Sequence, residues 1–187
     1  MRIVGERIEL RPLMLRDVTA WLEIKWDWPV DALGHYTFER AQRDVEANVR
    51  ANEKVTRPLD QMSQWTETLV AVIRDNVIGL CRHHALGTVC TVAQQAMHPA
   101  WRGNGYFSEM NELLARYAFD TLGATEVHHE LIGAAAAAHA FVNNRSRYRE
   151  DGERQGETGK LRKGSMTRES FDAWRATAAP RPFQFEP

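Results

Sequence analysis

The chain opens on an alternation of apolar and polar positions. In residues 6–13, ERIELRPL, Ile8, Leu10 and Pro12 fall on one side with polar residues between them, the period of a strand. Over residues 14–27 the period lengthens. Leu15, Val18, Trp21, Leu22 and Trp26 recur at helical spacing, and Asp17 lies in the first turn, where a carboxylate suits the helix dipole. Trp28-Pro29 predicts the end of this helix, because a residue before proline is pushed out of the α region. Residues 30–37, with Gly34, His35 and Tyr36, read as a loop. Residues 38–54 predict a polar amphipathic helix with a thin stripe of Phe38, Ala41, Val45 and Val49.

Three strand patterns follow, over 65–74, 76–85 and 87–97, with Asp75-Asn76 as the turn between the first two. Their short connections predict an antiparallel meander, closed by Pro99. Residues 105–122 predict a long helix whose apolar face carries Phe107, Met110, Leu113, Leu114, Tyr117, Ala118 and Leu122, ended by Gly123. A strand over 124–132 comes next. Residues 134–147 begin with an alanine run, and alanine is the best helix former, so a helix is expected there. Gly152, Gly156, Gly159 and Gly164 punctuate two short strands, and TRESFDAWRA reads as a last helical turn. The tail, AAPRPFQFEP, is expected to be ordered only if it docks. This order predicts a mixed sheet, α+β or mixed α/β, in one domain over residues 1–176 with a tail at 177–187.

Composition narrows the class. With 43% apolar and 26% charged residues, the chain is of ordinary globular make-up and not of the disordered kind. A net charge of −1 leaves no basic footprint, so nucleic acid is not an expected partner. No apolar run approaches the ~20 residues that span a bilayer, so no membrane is expected. The opening residues, MRIVGERIEL, show no secretion signal. Two cysteines without such a signal read as reduced thiols, and the cytoplasm is the expected location.

The candidate chemistry lies at His98-Pro99-Ala100-Trp101-Arg102-Gly103-Asn104-Gly105-Tyr106-Phe107. A strand ends, a loop with two glycines and an arginine follows, and a long helix begins. Glycines let backbone N–H groups approach a ligand closely, and a helix N-terminus adds unpaired donors and the positive end of a dipole. Together they make a site suited to a phosphate or pyrophosphate, although the same pattern also serves a plain strand-to-helix turn. It is not a Walker loop, since no Lys-Ser/Thr follows, and the third glycine of the dinucleotide pattern is missing.

The order of elements and this motif together resemble the GNAT superfamily of acyl-CoA-dependent N-acyltransferases, whose loop reads Gln/Arg-x-x-Gly-x-Gly/Ala. Here Arg102-Gly103-Asn104-Gly105-Tyr106-Phe107 keeps the arginine and the second glycine, while Phe107 replaces the last small residue. IELRPLMLRDV, ARYAFDTLGATEV and SMTRESFDAWR resemble the branch that includes the ribosomal-protein N-terminal acetyltransferases, and the resemblance covers about residues 3–176. It implies a mostly antiparallel sheet of about seven strands flanked by about four helices. It also implies acetyl-CoA as co-substrate, lying in a splay between the fourth and fifth strands, with no metal. The pyrophosphate would meet the amides of residues 102–107, and the pantetheine arm would meet the backbone near Ala96, Met97 and His98. The acceptor would be a primary amine of a small molecule or a protein N-terminus, attacking the thioester directly. Such domains often dimerise, so a homodimer is one expectation.

The resemblance leaves the acid and the base open. Glu130 sits where some members carry a catalytic glutamate, with His83 or His84 as other base candidates. Over residues 134–152 two registers stand. One takes Tyr148 as the terminal aromatic of the family's fourth helix, which puts Ala136 and His139 at its Asn and Ser/Ala positions. The other pairs Tyr148 with Gly152 and makes Tyr148 the general acid. Trp28, His35 and Tyr36, in the loop between the first helices, would line the acceptor pocket with His84, or serve equally as core aromatics. Cys81, His83, His84, Cys90, His98, His128 and His129 lack the paired spacing of a zinc site. Phe107 and the degenerate fourth helix keep a second class in view: an acyl-CoA-binding sensor or interaction module on the same fold.

Overall fold

The strongest alternation in the sequence builds the centre of the sheet. In the computed structural model, which describes residues 1–26, 36–132, 149–156, 159–177 and 181–187, the meander becomes β3 (Gln64–Ile73), β4 (Asn76–Leu86) and β5 (Val89–Met97). The helix expected over 134–147 and the site candidates Trp28, His35, His139 and Tyr148 lie outside the described residues. The β3–β4 turn is centred on Arg74-Asp75, with φ of 46° and 68°, one residue earlier than the sequence predicts. Asp tolerates the left-handed conformation that a two-residue hairpin needs. Asn76 instead pairs with Ile73 in the ladder.

The first alternation is the second arm of a hairpin. β1 (Arg2–Val4) turns at Gly5, whose N–H donates to Ile8 O at 2.9 Å, and returns as β2 (Glu9–Pro12). A Cβ on Gly5 would stand 2.9 Å from Glu109 Oε1 and from Leu113 Cδ1, so only glycine lets this turn pack so closely. Asp17 then accepts from Met14 N–H and from both ends of the Arg11 guanidinium, each at 2.8 Å. A short 3-10 turn at Leu15–Asp17 leads into α1 (Val18–Trp26). Thr37 caps α2 (Phe38–Asn52) by accepting from Arg40 N–H at 3.3 Å.

α3 (Tyr106–Arg116) continues into a wider π-helical turn at Tyr117–Thr121, where Leu122 N–H reaches back to Tyr117 O at 2.9 Å. β6 (Glu126–Ile132), β7 (Arg149–Gly156), β8 (Gly159–Thr167) and α4 (Arg168–Thr177) follow. The tail docks: β9 (Gln184–Glu186) pairs antiparallel with β1, and Phe185 stacks on Tyr117 at 5.8 Å between ring centroids. Among the described residues nine strands form one mixed sheet, in the order β7-β8-β6-β5-β4-β3-β2-β1-β9. The expected seven become nine through the three-residue strands β1 and β9, too short to show a period.

Alternation sorts the two faces of the sheet. Leu69, Ala71, Cys81, Cys90, Val92 and Met97 point to one side, where Met110, Leu113, Leu114, Tyr117 and Phe171 close over them. Val70, Val72, Leu80 and Ala96 point to the other, covered by Trp21 and Ile24 of α1 and by Ala41 and Val45 of α2. With both faces covered, β3 reads as the near-continuous apolar run LVAVI. Cys81 and Cys90 are free and fully buried; burial first, then the Glu67 charge, pushes both thiols up, Cys90 to about 12. Neither should react with an aromatic disulfide reagent in the native protein, and both should react once urea unfolds it. Rapid labelling without denaturant would contradict the burial.

Candidate active site

The sequence from Met97 to Phe107 turns a strand into a helix through a shaped loop. His98 continues β5 by donating its N–H to Ile78 O at 2.8 Å, and its Nδ1 accepts from Ala100 N–H at 3.2 Å. Pro99–Trp101 form a single 3-10 turn. Gly103 and Gly105 then take φ of 80° and 79°, the left-handed region that favours glycine. Nothing stands within 4 Å of a Cβ built on Gly103, so the loop is open there. Gly105 is the N-cap of α3, and the helical bonding starts with Glu109 N–H donating to Gly105 O at 3.2 Å. The amides of Tyr106, Phe107 and Ser108 precede that first bond, and they face the positive end of the helix dipole. Arg102 Nε donates to Met97 O at 3.0 Å and ties the loop to the end of β5.

Two residues that hold this loop escaped the sequence reading. Arg7, in the β1–β2 turn, donates to Asn104 O at 3.0 Å and lies 4.8 Å over the Tyr106 ring. Glu109, only 1% exposed, accepts from Arg7 N–H and Arg7 Nε, each at 2.7 Å, and from Ile8 N–H at 3.3 Å. The clamp joins residues far apart in the chain, so no local pattern shows it. The one available signal was a glutamate beside Met110 on the apolar side of the helix.

Beside this loop the sheet splits. β5 and β6 run parallel, pairing only from Val89–Val92 to Glu126–His129. Beyond Val92, β5 stays with β4 while β6 continues to Ile132 alongside β8. A bulge at the divergence turns β5 away: the β4–β5 register shifts between Leu80 and Arg82, and Gln94 holds a φ of 49°. The resulting gap falls between the two strands where the family resemblance implies a splay. Ala96 and Met97 lie along the freed edge of β5, 8% and 6% exposed. Glu130 lies on β6 one residue past the last pair with β5, its backbone paired with Lys163.

The gap has different chemistry on its two faces. α3 and the glycine loop lie on one. On the face of α1 and α2, laterally paired residues bring Thr66, His84, Thr91 and His128 into one row, and Thr68, Arg82 and Ala93 into the next. His84 Nδ1 lies 2.9 Å from Thr66 Oγ1, and Arg82 donates to Asn48 Oδ1 of α2. Tyr36, 9% exposed, accepts from Trp21 Nε1 at 2.7 Å and donates to Asp44 at 2.6 Å, so its hydroxyl is tied inside the helix layer. His83 points to the opposite face. It is fully buried and stacked on Tyr117 at 5.9 Å; burial first, then the His84 and Arg57 charges, lowers it to about 3, so its ring stays neutral.

A mixed sheet split at its parallel pair, with a glycine loop and a helix N-terminus beside the split, has the chemistry to take an extended, phosphate-bearing ligand. The profile of the acetyltransferase (GNAT) domain matches residues 7–147, and the chain belongs to that family of acyl-CoA-dependent acetyltransferases. The structure is similar to a GNAT-family acetyltransferase of Bacillus anthracis (TM-score 0.71, 16% identity, 90% of this chain and 99% of that one). It is also similar to Mycobacterium smegmatis RimJ in complex with CoA-disulfide (0.73, 14%, 95% and 94%). A third neighbour is the Salmonella typhimurium acetyl transferase that modifies the N-terminal serine of ribosomal protein L7/L12 (0.67, 15%, 88% and 98%). Comparison with curated proteins by sequence gives no match.

Proposed function

We propose that this protein transfers the acetyl group of acetyl-CoA to a primary amine, on a small molecule or at a protein N-terminus, by direct attack of the amine. The observation that carries the reading is the gap where β5 leaves β6, with a helix N-terminus on one face and polar side chains on the other. The loop fits a pyrophosphate. Among the described residues its first helical amides precede the first helical bond, the space at Gly103 is open, and Arg7 adds a cation beside Asn104. Acetyl-CoA supplies the activated thioester. The freed edge of β5 at residues 93–97 supports binding of its amide-bearing arm through backbone groups.

Attack needs a neutral amine, so a base must take its proton. Glu130, one residue beyond the last β5–β6 pair, is our choice for that base. Glu130→Gln should lower kcat by about 10²–10⁴-fold with an unchanged KM for acetyl-CoA, read as free-thiol release across an amine panel. An undiminished kcat would remove Glu130 from the reaction. If the wild type binds CoA but releases no thiol with any amine, the CoA-binding module replaces the enzyme reading. The Salmonella neighbour's substrate puts peptides with a free N-terminal serine on that panel.

A further inference from the structure

We infer that the acceptor amine also carries a carboxylate, bound through the guanidinium of Arg82 beside Lys25; this rests on the acetyl-transfer reading above. Arg82 leaves β4 opposite Ala93, next to the bulge at Gln94 where β5 turns from β6. It points to the face of α1 and α2, one row from His84. Among the described residues the other guanidiniums that enter the interior are each matched to a carboxylate: Arg11 to Asp17, Arg57 to Glu67 and Arg116 to Glu112. Arg82 differs. It is half-buried, its Nη2 donates to the neutral amide of Asn48, and its Nε is buried without a partner. Among the described residues no carboxylate stands within ion-pair distance of it.

A second cation lies close by. Lys25 is 7% exposed, with Nζ 5.1 Å from the centre of the Trp21 ring. Burial, then the Arg82 charge, lowers it to about 7, while Asp44 works in the other direction. Asp44 itself accepts from the Tyr36 hydroxyl. For Arg82, a half-buried charge with no carboxylate at ion-pair distance among the described residues is costly, and a site that keeps one is built for a ligand of opposite charge. A carboxylate matches the planar fork of arginine. An amine whose carboxylate meets Arg82 would stand over the gap, on the side away from the glycine loop.

Matched pairs test this. Calorimetry in the presence of CoA compares N-acetyl-β-alanine with its amide, and thiol release compares β-alanine and γ-aminobutyrate with their amides. The wild type should favour each acid by about tenfold or more in Kd and kcat/KM. Arg82→Met and Arg82→Gln should bring the ratios to about one, and either variant that folds decides the role of Arg82. The wild-type ratios need no variant. Equal binding of acid and amide by the wild type overturns the inference, and so does a preference that survives in the folded variant. Equal turnover with equal binding leaves acetyl transfer standing without the carboxylate. A binding preference with no thiol released from any amine leaves the carboxylate site standing without acetyl transfer.

Discussion

Glu109→Ala is expected to cost roughly 3 kcal/mol of stability. Its carboxylate is buried and accepts two backbone N–H groups, from Arg7 and Ile8, besides the Arg7 guanidinium. Alanine leaves both amides without a partner in a packed turn, where each unsatisfied donor costs about 1–3 kcal/mol. The Arg7 head is 42% exposed and recovers part of its loss from water, so the ion pair itself adds little. Glu109→Gln, which keeps one acceptor oxygen, should lose less. Urea unfolding followed by fluorescence reads both values, and a loss below about 1 kcal/mol for alanine would show that the clamp is not structural. The same change frees Asn104 and Tyr106 from Arg7, so the Kd for CoA should rise about tenfold, or about 1.4 kcal/mol.

Gly105→Val acts on the cradle itself. The backbone there sits at φ 79°, where a side chain costs about 1–2 kcal/mol and a branched one more. A Cβ would meet Arg7 Nη2 only at 3.5 Å, an ordinary contact, so the cost is conformational and not crowding. The chain escapes by turning the peptide planes of the loop, and the amides ahead of Glu109 then lose their common direction. CoA affinity should fall about 100-fold or more, equivalent to about 2.7 kcal/mol, with a much smaller fall for Gly105→Ala. Calorimetric titration with CoA decides, and an unaltered Kd would sink the assignment of this loop.

What the sequence shows and hides follows from the range of each interaction. The meander is legible because alternation and turn residues are local; only the centre of the turn moved, to Arg74-Asp75. α3 is legible from its apolar stripe and its bounding glycines. The alternation of Ile8 and Leu10 predicts a first strand over 6–13, yet pairing begins at Glu9, where the hairpin turn ends. The bulge at Gln94 carries no glycine to announce it. Arg82 sits inside an ordinary strand pattern, and its isolation appears only when α2 offers it an asparagine in place of an acid. The candidates Trp28, His35, His139 and Tyr148 rest on sequence alone.

The parallel pair also has a mechanical meaning. β6, β8 and β7 form one antiparallel ribbon, and β5 through β1 with β9 form another. The central ladders on either side, β3–β4, β4–β5 and β6–β8, are longer, and the two ribbons meet edge to edge only from Val89 to Val92. Parallel pairing is slightly weaker per residue than antiparallel, so among the central strands this short seam yields most easily. The ribbons therefore behave as two stiff leaves on a narrow spine, and anything seated in the gap wedges against both at once. Opening and closing of the leaves would change the distance between Arg82 on one and Glu130 on the other.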